Sequence, residues 1–191
     1  MDSKSRDGLR KTLLRQRSQL GAGQLAAHAA LLLQNLLQLP LFTEARRISA
    51  YLPIRGEMDA GPALNWARHQ HKLTYLPVIH GDYLRFAPFT EQSIMTTGRF
   101  GIAEPRYDES DLLTPDALDL VLAPLVGFDK QLNRLGMGGG FYDRSFAFRA
   151  GNKDKPALIG IAHDFQKQAR LDAEPWDIPM DVIVTEKAIY N

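Results

Sequence analysis

The feature that most constrains the fold is an apolar run that ends in a glycine-rich loop. The run covers residues 118–126, and the segment after it contains four glycines within five positions: Gly136, Gly138, Gly139 and Gly140. An apolar run of this kind is typical of a central strand that is buried on both faces of a sheet. Glycine allows positive φ angles and lets the backbone approach a ligand closely. Because a helix is predicted directly behind the loop, the arrangement is typical of a phosphate-binding site.

The glycine loop matches neither of the two common nucleotide-binding motifs. It has no GxxxxGK[ST] sequence, and its third glycine falls one position too early for a dinucleotide fingerprint. Arg134 supplies a cation whose planar fork suits phosphate oxygens, and Asp143 is a ligand that suits Mg²⁺. A second carboxylate could come from the acidic segment 174–181. The residues alone suggest a MgATP or phosphate-ester site, and a tight turn without a ligand is the open alternative.

Length and composition predict one globular domain over residues 1–191. The chain has 45% hydrophobic and 24% charged residues, which are ordinary values for a globular protein. Its formal net charge of +1 gives no general argument for binding to nucleic acid or membranes. There is no cysteine, which excludes disulfides, zinc–thiolate sites and thiol nucleophiles. Because the N-terminal residues contain no apolar signal segment, we expect a cytoplasmic protein.

The periodicity of the other segments predicts a mixture of helices and strands. Predicted helices cover 4–20, 24–39, 61–71 and 141–149, and predicted strands cover 47–52, 72–79, 83–88, 118–126, 157–162 and 181–185. Pro40 is expected to end the second helix, and 96–105 is predicted to be a loop without periodicity. This order predicts a mixed α/β layered domain.

Three arginines border the apolar face of the first predicted helix. On a helical wheel, Arg6, Arg10 and Arg17 lie beside Leu9 and Leu13. They could follow the edge of the core with their charged ends in water, or they could lean into an anionic pocket. A nucleic-acid surface is less favoured, because the basic stretch is short and has no interleaved aromatic residues.

Two loops contain further candidate ligand-binding residues. Glu57 follows the strand 47–52, at the edge of an α/β sheet where ligands bind. It could instead cap the helix 61–71 through the helix dipole. The loop 96–105 contains Phe100 and could line a ligand, although packing against the core is equally common for such loops.

The histidines form no competing metal motif. His69 and His71 lie two positions apart on a predicted helix and face different directions, while His28, His80 and His163 are scattered through the sequence. No HExxH pattern is present, and His28 is interpreted as a structural residue. The serines lack a GxSxG context, so nucleophilic acyl chemistry has no support.

A longer block around the glycine loop closely resembles a known family. Residues 127–130 (GFDK) and 133–144 (NRLGMGGGFYDR) are similar to the signature of the 5-formyltetrahydrofolate cyclo-ligase family, also called 5,10-methenyltetrahydrofolate synthetase. The likeness also includes Arg6-x-x-Leu9-Arg10, the segments 51–57 and 100–105, and Asp177-x-x-x-Asp181 with Thr185-Glu186. It covers nearly the whole chain.

The resemblance implies a single-domain α/β fold with an open mixed sheet flanked by helices on both faces. The family converts 5-formyltetrahydrofolate and MgATP to 5,10-methenyltetrahydrofolate, ADP and phosphate. In the implied mechanism the γ-phosphoryl group passes to the formyl oxygen, N10 attacks the carbon of the resulting iminium phosphate, and phosphate leaves. Phosphoryl transfer needs positioning and charge stabilisation rather than a covalent nucleophile. We therefore expect a monomer that binds small-molecule substrates and neither nucleic acid nor membranes.

The resemblance also assigns residues to roles. It implies catalytic roles for Arg134 and Tyr142, and magnesium binding by Asp143 and Asp177. The implied ATP-binding residues are Arg6, Asp7, Gly8, Leu9, Arg10, Arg134, Leu135, Gly136, Met137, Gly138, Gly139, Gly140, Phe141 and Tyr142. The implied folate-binding residues are Leu52, Glu57, Phe100, Met137, Gly138, Gly139, Gly140 and Phe141.

The chain departs from the usual family pattern at three positions. Arg6 stands where the family usually has lysine, and Met137 and Gly139 are uncharged where some members have a basic residue. If those basic residues contact phosphate in relatives, Arg10 or Arg134 must supply the charge here. A non-catalytic protein that binds folate or nucleotide is the alternative function.

Overall fold

A mixed β-sheet with helices on both faces organises the chain. The computed structural model describes residues 3–150 and 155–191, without the side chains of Ser3, Lys4 and Phe100. The strands are β1 (Arg47–Ser49), β2 (Leu73–His80), β3 (Tyr83–Pro88), β4 (Met95–Thr97), β5 (Ala103–Pro105), β6 (Leu120–Pro124), β7 (Gly127–Phe128), β8 (Arg134–Leu135), β9 (Ala157–Ile161), β10 (Val182–Val184) and β11 (Ile189–Tyr190). The α-helices are α1 (Ser3–Arg17), α2 (Ala22–Leu36), α3 (Pro40–Thr43), α4 (Gly61–His69) and α5 (Phe141–Ser145). None of the helices in the described ranges is long and apolar enough to cross a membrane.

Seven strands form the main sheet, in the order β11-β10-β9-β6-β1-β2-β3. The five inner strands are parallel to one another, and the edge strands β3 and β11 pair antiparallel with their neighbours. Two small hairpins, β4–β5 and β7–β8, lie outside this sheet. The predicted open mixed sheet is therefore confirmed.

Alternating residues of the central strand β6 fill two apolar cores. Leu120 and Leu122 pack with residues of α2 and α4 on one face. Val121 and Ala123 belong to a second cluster on the other face, which includes Phe146 at the end of α5. Since side chains alternate between the two faces of a strand, burial of both sets explains why this segment is apolar throughout.

Several boundaries differ from the prediction. α1 ends at Arg17, and α2 ends at Leu36. Pro40 does not end α2 but begins α3, because a proline in the first helical turn needs no N–H partner. α5 is shorter than predicted and is followed by a 3-10 turn over 147–150. The segment 96–105 is not a plain loop, since it contains parts of the β4–β5 hairpin.

The order of the strands creates a crevice at one edge of the sheet. β1 lies between β2 and β6 and is parallel to both. The chain passes from β1 to β2 on one side and enters β6 later on the other, so the connections that follow β1 and β6 diverge. Ligands of open α/β sheets bind where neighbouring connections diverge in this way. Glu57 follows β1, and the glycine loop follows β6 and the β7–β8 hairpin.

Candidate active site

The glycine loop, residues 136–140, connects β8 to α5. Gly138 has a φ of 95° and Gly140 a φ of 66°, in the left-handed region that other residues rarely adopt. A Cβ atom on Gly140 would also lie 2.6 Å from Arg144 Nη1. The three central residues of the loop are exposed. The prediction that this loop depends on positive φ angles is confirmed at these two glycines.

Arg134 and Asp143 connect the two ends of the glycine loop. Arg134 is buried, and its Nη2 donates to Asp143 Oδ1 over 2.5 Å while its Nη1 donates to the carbonyl of Ile178. The same Asp143 oxygen accepts the N–H of Ile178 at 3.1 Å. Asp143 therefore lies against the residue next to Asp177, and the two predicted magnesium ligands occupy adjoining segments.

Two arginines of α1 contact both of these segments. Arg6 Nη1 and Nη2 each donate to Asp177 Oδ2 at 3.0 Å. Arg10 Nε donates to the carbonyl of Gly136 at 2.8 Å, and its Nη1 donates to the Asp7 carboxylate. Arg6 therefore leans towards a carboxylate, in line with the predicted anionic pocket, whereas Arg10 contacts a backbone carbonyl and an aspartate of its own helix. The acceptors in this structure are the protein's own oxygens.

Glu57 is buried beside an equally buried arginine of α1. Glu57 Oε2 accepts the N–H of Ile54 at 3.0 Å, and Oε1 lies 3.7 Å from Arg17 Nη2. Arg17 Nε donates to the carbonyl of Arg55 at 3.0 Å. Burial raises the pKa of Glu57, although the Ile54 N–H and the charges of Arg17 and Arg55 oppose the shift. Arg17 is therefore buried beside a single carboxylate and does not extend its charged end into water at the edge of the core.

The alternative in which Glu57 caps α4 is wrong. At the start of α4, Asp59 Oδ1 accepts the N–H of Gly61 at 2.7 Å. The turn before Glu57 includes Gly56, whose φ is 73°. A Cβ atom on Gly56 would lie 2.9 Å from the carbonyl oxygen of Arg17. This close approach between the turn and the end of α1 explains how Glu57 comes to face Arg17.

Tyr142 lies close enough to Glu57 and Arg134 to be affected by their charges. Burial raises the pKa of Tyr142 well above its usual value, the charge of Glu57 raises it further, and Arg134 opposes the shift. The phenol therefore keeps its proton at neutral pH and can donate a hydrogen bond. Glu57, which follows β1, and Arg134, which follows β6, are thus both near enough to Tyr142 for their charges to act on its phenol.

Asp143 and Asp177 have the chemistry of magnesium ligands. The bonds that Asp143 accepts fall on Oδ1, and those that Asp177 accepts fall on Oδ2, including the N–H of Glu174 at 2.9 Å. Each carboxylate has a second oxygen that these bonds do not use. Mg²⁺ binds hard oxygen ligands, commonly one or two carboxylates together with substrate phosphates. The donor set therefore fits this ion.

The other predicted residues have varied environments. Gly8 is exposed, whereas Leu9 and Leu52 are half-buried against apolar clusters. Phe141 is half-buried at the edge of the second core. Phe100 lies in a short 3-10 turn, and its side chain is outside the described part of the chain.

Asp129 has no predicted role, but it holds the backbone next to Arg134 in place. Asp129 is fully buried and accepts the N–H groups of Gln131 at 2.9 Å, Asn133 at 3.1 Å and Leu171 at 2.8 Å. These bonds hold the turn that immediately precedes Arg134. An aspartate that bonds N–H groups two and four residues ahead is a known turn signal, so the sequence did contain an indication.

Tyr51 is a second residue to which no role was assigned. Its hydroxyl donates to the carbonyl of Met58 at 2.6 Å and thereby ties the two ends of the connection after β1 together. Burial raises the pKa of Tyr51, and the charge of Glu57 adds to this shift.

Two of the histidines that are far apart in the sequence, His28 and His163, are in contact in the structure. His28 Nδ1 lies 2.9 Å from His163 Nδ1, although 135 positions separate the two residues. α2 brings His28 against the connection that follows β9. No local pattern could have indicated this contact, because it depends on how a helix packs on the sheet.

Comparisons with known proteins agree with the observed fold and identify a family. The sequence model of the 5-formyltetrahydrofolate cyclo-ligase family matches residues 2–186. The 5-formyltetrahydrofolate cyclo-ligase of Escherichia coli is 35% identical over 185 residues, which cover 95% of this chain and 97% of the relative. The 5-formyltetrahydrofolate cyclo-ligase of Haemophilus influenzae is 34% identical over 188 residues, which cover 96% of this chain and 100% of the relative.

A solved structure supports the same assignment. The NMR structure of Aquifex aeolicus 5,10-methenyltetrahydrofolate synthetase superimposes with a TM-score of 0.82 at 33% identity, over 96% of this chain and 91% of that chain. Matches of this extent in both sequence and structure exceed what a shared fold alone requires. The chain belongs to the 5-formyltetrahydrofolate cyclo-ligase family.

Proposed function

We propose that this protein converts 5-formyltetrahydrofolate to 5,10-methenyltetrahydrofolate with consumption of ATP and release of ADP and phosphate. The observation that supports this most directly is the bonded set of Arg134, Asp143 and Ile178 beside the exposed glycine loop. This set brings a cation and a carboxylate together beside the exposed backbone of residues 137–139, in the connection that follows the central strand β6. These are the parts that phosphoryl transfer requires.

The ATP phosphates would lie along the glycine loop and the arginines of α1. Residues 134–142 offer backbone N–H groups, and positive φ at Gly138 and Gly140 lets the backbone curve around an anion. Arg6 and Arg10 already lie on the two flanking segments. They supply positive charge where Met137 and Gly139 are uncharged.

Asp143 and Asp177 would hold the magnesium ion of the nucleotide. The ion would supply positive charge that offsets the negative charge of the phosphate groups. The protein's own contribution is to orient both carboxylates, because Arg134 holds Asp143 and Arg6 holds Asp177.

The folate would enter from the side of β1. Glu57 is a buried carboxylate that can accept hydrogen bonds from N–H groups of the folate ring, and Leu52 offers an apolar surface beside it. The phenol of Tyr142 is protonated at neutral pH, and the upward shift of its pKa extends this state to more alkaline pH, so it can donate to an oxygen of either substrate. Met137 and Phe141 would lie where the two substrates meet.

The chemical steps follow from the weakness of an amide oxygen as a leaving group. Transfer of the γ-phosphoryl group to the formyl oxygen releases ADP and gives an N5-iminium phosphate. N10 then forms a bond to the formyl carbon and loses its proton, and cleavage of the carbon–oxygen bond releases phosphate. Arg134 would stabilise charge on the transferred group, and the glycine loop would position that group.

The decisive experiment mixes the purified protein with 5-formyltetrahydrofolate and MgATP. We expect growth of the methenyl absorbance with stoichiometric release of ADP and phosphate, and no product when ATP is omitted. Folate binding without product would favour the non-catalytic alternative. Binding to DNA that falls steeply with salt, without turnover, would indicate a nucleic-acid-binding protein instead.

A further inference from the structure

A histidine–glutamate cluster lies at the same edge of the sheet as the crevice but over different strands. His28 lies on α2, His163 follows β9, and Glu186 follows β10. Because β9 and β10 are adjacent and parallel, the residues that follow them meet at one edge. A ligand atom from each of the three residues lies within 4.8 Å of the other two.

The two measured distances between donor atoms lie on either side of the separation expected between two ligands of one bound ion. His28 Nδ1 lies 2.9 Å from His163 Nδ1 and 4.0 Å from Glu186 Oε1. Two ligands that each lie about 2.0 Å from a tetrahedral ion are about 3.3 Å apart. A small movement of the half-buried His28 ring would therefore bring its distances to the other two donor atoms closer to this value.

The outer contacts orient the donor atoms of His163 and Glu186 towards a common point. His163 Nε2 lies 3.1 Å from the carbonyl oxygen of Gly56, and since a carbonyl can only accept, this nitrogen carries the proton. Nδ1 of the neutral ring therefore has a free electron pair. Glu186 Oε2 accepts the N–H of Asp164 at 2.9 Å, so Oε1 remains on the side of His28. Histidines that bind metals typically donate their other ring N–H to a carbonyl in this way.

Burial favours a neutral imidazole next to the carboxylate. His163 is completely buried and Glu186 is 8% exposed, while the His28 side chain is 22% exposed. The partly open side at His28 offers an ion a path from solvent.

We infer that His28, His163 and Glu186 form a binding site for a divalent transition-metal ion of the zinc class. Two imidazole nitrogens and one carboxylate oxygen favour Zn²⁺ over Mg²⁺, which prefers oxygen ligands and water. Binding would displace the proton that His28 shares with His163, and solvent would provide the fourth ligand. This site is separate from Asp143 and Asp177, and the inference does not rest on the proposed catalytic function.

The test titrates the metal-free, untagged full-length protein with Zn²⁺ in competition with a chromogenic chelator. We expect one ion per chain, and Co²⁺ in its place should give the visible absorption bands of a tetrahedral complex. His28→Gln should weaken binding about 100-fold or more, because even loss of an outer contact typically costs about 10–100-fold. His69→Gln removes an exposed histidine of α4 and should leave binding unchanged.

Glu186→Gln provides a second test with a side chain of the same shape, and circular dichroism confirms that each variant is folded. Weaker binding in both folded variants would support the site. If the native protein binds no Zn²⁺ at micromolar concentrations, or if His28→Gln binds it as well as the native protein does, the histidines form a hydrogen-bonded pair only. Either result would overturn the inference.

Discussion

Two regions at one edge of the sheet contain charged groups of contrasting kinds. In the crevice of β1 and β6, carboxylates are paired with arginines, as in Asp143 with Arg134 and Asp177 with Arg6. Over β9 and β10, the Glu186 carboxylate lies with two imidazoles. Guanidinium groups suit phosphate oxygens, whereas neutral imidazoles suit transition metals. Both regions contain carboxylates, so carboxylates alone do not distinguish them. The difference lies in the nitrogen-containing side chains, which are guanidinium groups in one region and imidazoles in the other.

The two regions are connected through one short turn. The carbonyl of Gly56 accepts a hydrogen bond from His163, while the next residue, Glu57, faces Arg17. Variants of the crevice can therefore show whether the regions act independently. If they do, each change in the crevice should leave Zn²⁺ binding intact.

The largest effect is expected for Asp143→Asn. Loss of its charge weakens both the magnesium ligand and the hold on Arg134, so kcat should fall about 1,000-fold. Steady-state turnover with MgATP measures this effect, and thermal unfolding checks that the variant remains folded. The exposed Asp116→Asn is the matched control and should keep full activity. Undiminished turnover in Asp143→Asn would remove this residue from the site.

Arg17→Met should cause the largest loss of stability. It leaves the buried Glu57 carboxylate without its nearest cation, and breaking a buried pair from one side costs about 3 kcal/mol. Urea unfolding should show this decrease in the free energy of unfolding. Arg15→Met, an exposed change on the same helix, should alter it little. Equal stability of the two variants would mean that Arg17 contributes no pairing to Glu57.

Glu57→Gln should weaken folate binding more than nucleotide binding. Loss of a charged acceptor costs about 2 kcal/mol, so KM for the folate should rise about 30-fold while KM for ATP stays nearly constant. Initial rates at varied concentrations of each substrate separate the two constants. The exposed Glu91→Gln should change neither. An equal rise in both constants would contradict a specific role on the folate side.

The smallest effect concerns alkaline stability. Burial raises the pKa of Tyr142 in the folded state. The resulting stability is complete below the unfolded pKa of about 10 and is lost as the pH rises towards the folded value. At about pH 11, Tyr142→Phe should therefore recover up to about 1 kcal/mol relative to the native protein, as measured by urea unfolding. Tyr83→Phe, at an exposed position, should recover nothing. A similar gain in both would show that Tyr142 does not titrate as proposed.

Features that depend on local backbone chemistry could be predicted from the sequence. The glycines at 138 and 140 adopt positive φ as expected, and the apolar segment around β6 is buried on both faces. The prediction that Pro40 ends α2 is wrong, because proline is found both after the end of a helix and in its first turn. Which of the two occurs depends on how the flanking segments pack. The histidine contact could not be predicted, because no sequence spacing encodes the packing of α2 over β9.

The residues of the candidate site could be predicted only in part. The sequence indicates the glycine loop, Arg134 and Asp143 from their proximity in the chain, and it indicates Arg6 and Glu57 as candidates with open alternatives. The resemblance singles out Asp177 within the acidic segment 174–181. The contact of Arg17 with Glu57 could not be predicted, because a helical wheel shows which face a residue occupies but not what covers that face.

The bond between Arg6 and Asp177 joins residues 171 positions apart. During synthesis Arg6 is added to the chain long before its partner Asp177. Domains fold as units once their distant segments are available. The contact between α1 and the acidic segment 174–181 therefore forms only after both segments have been synthesised, and α1 alone cannot complete it.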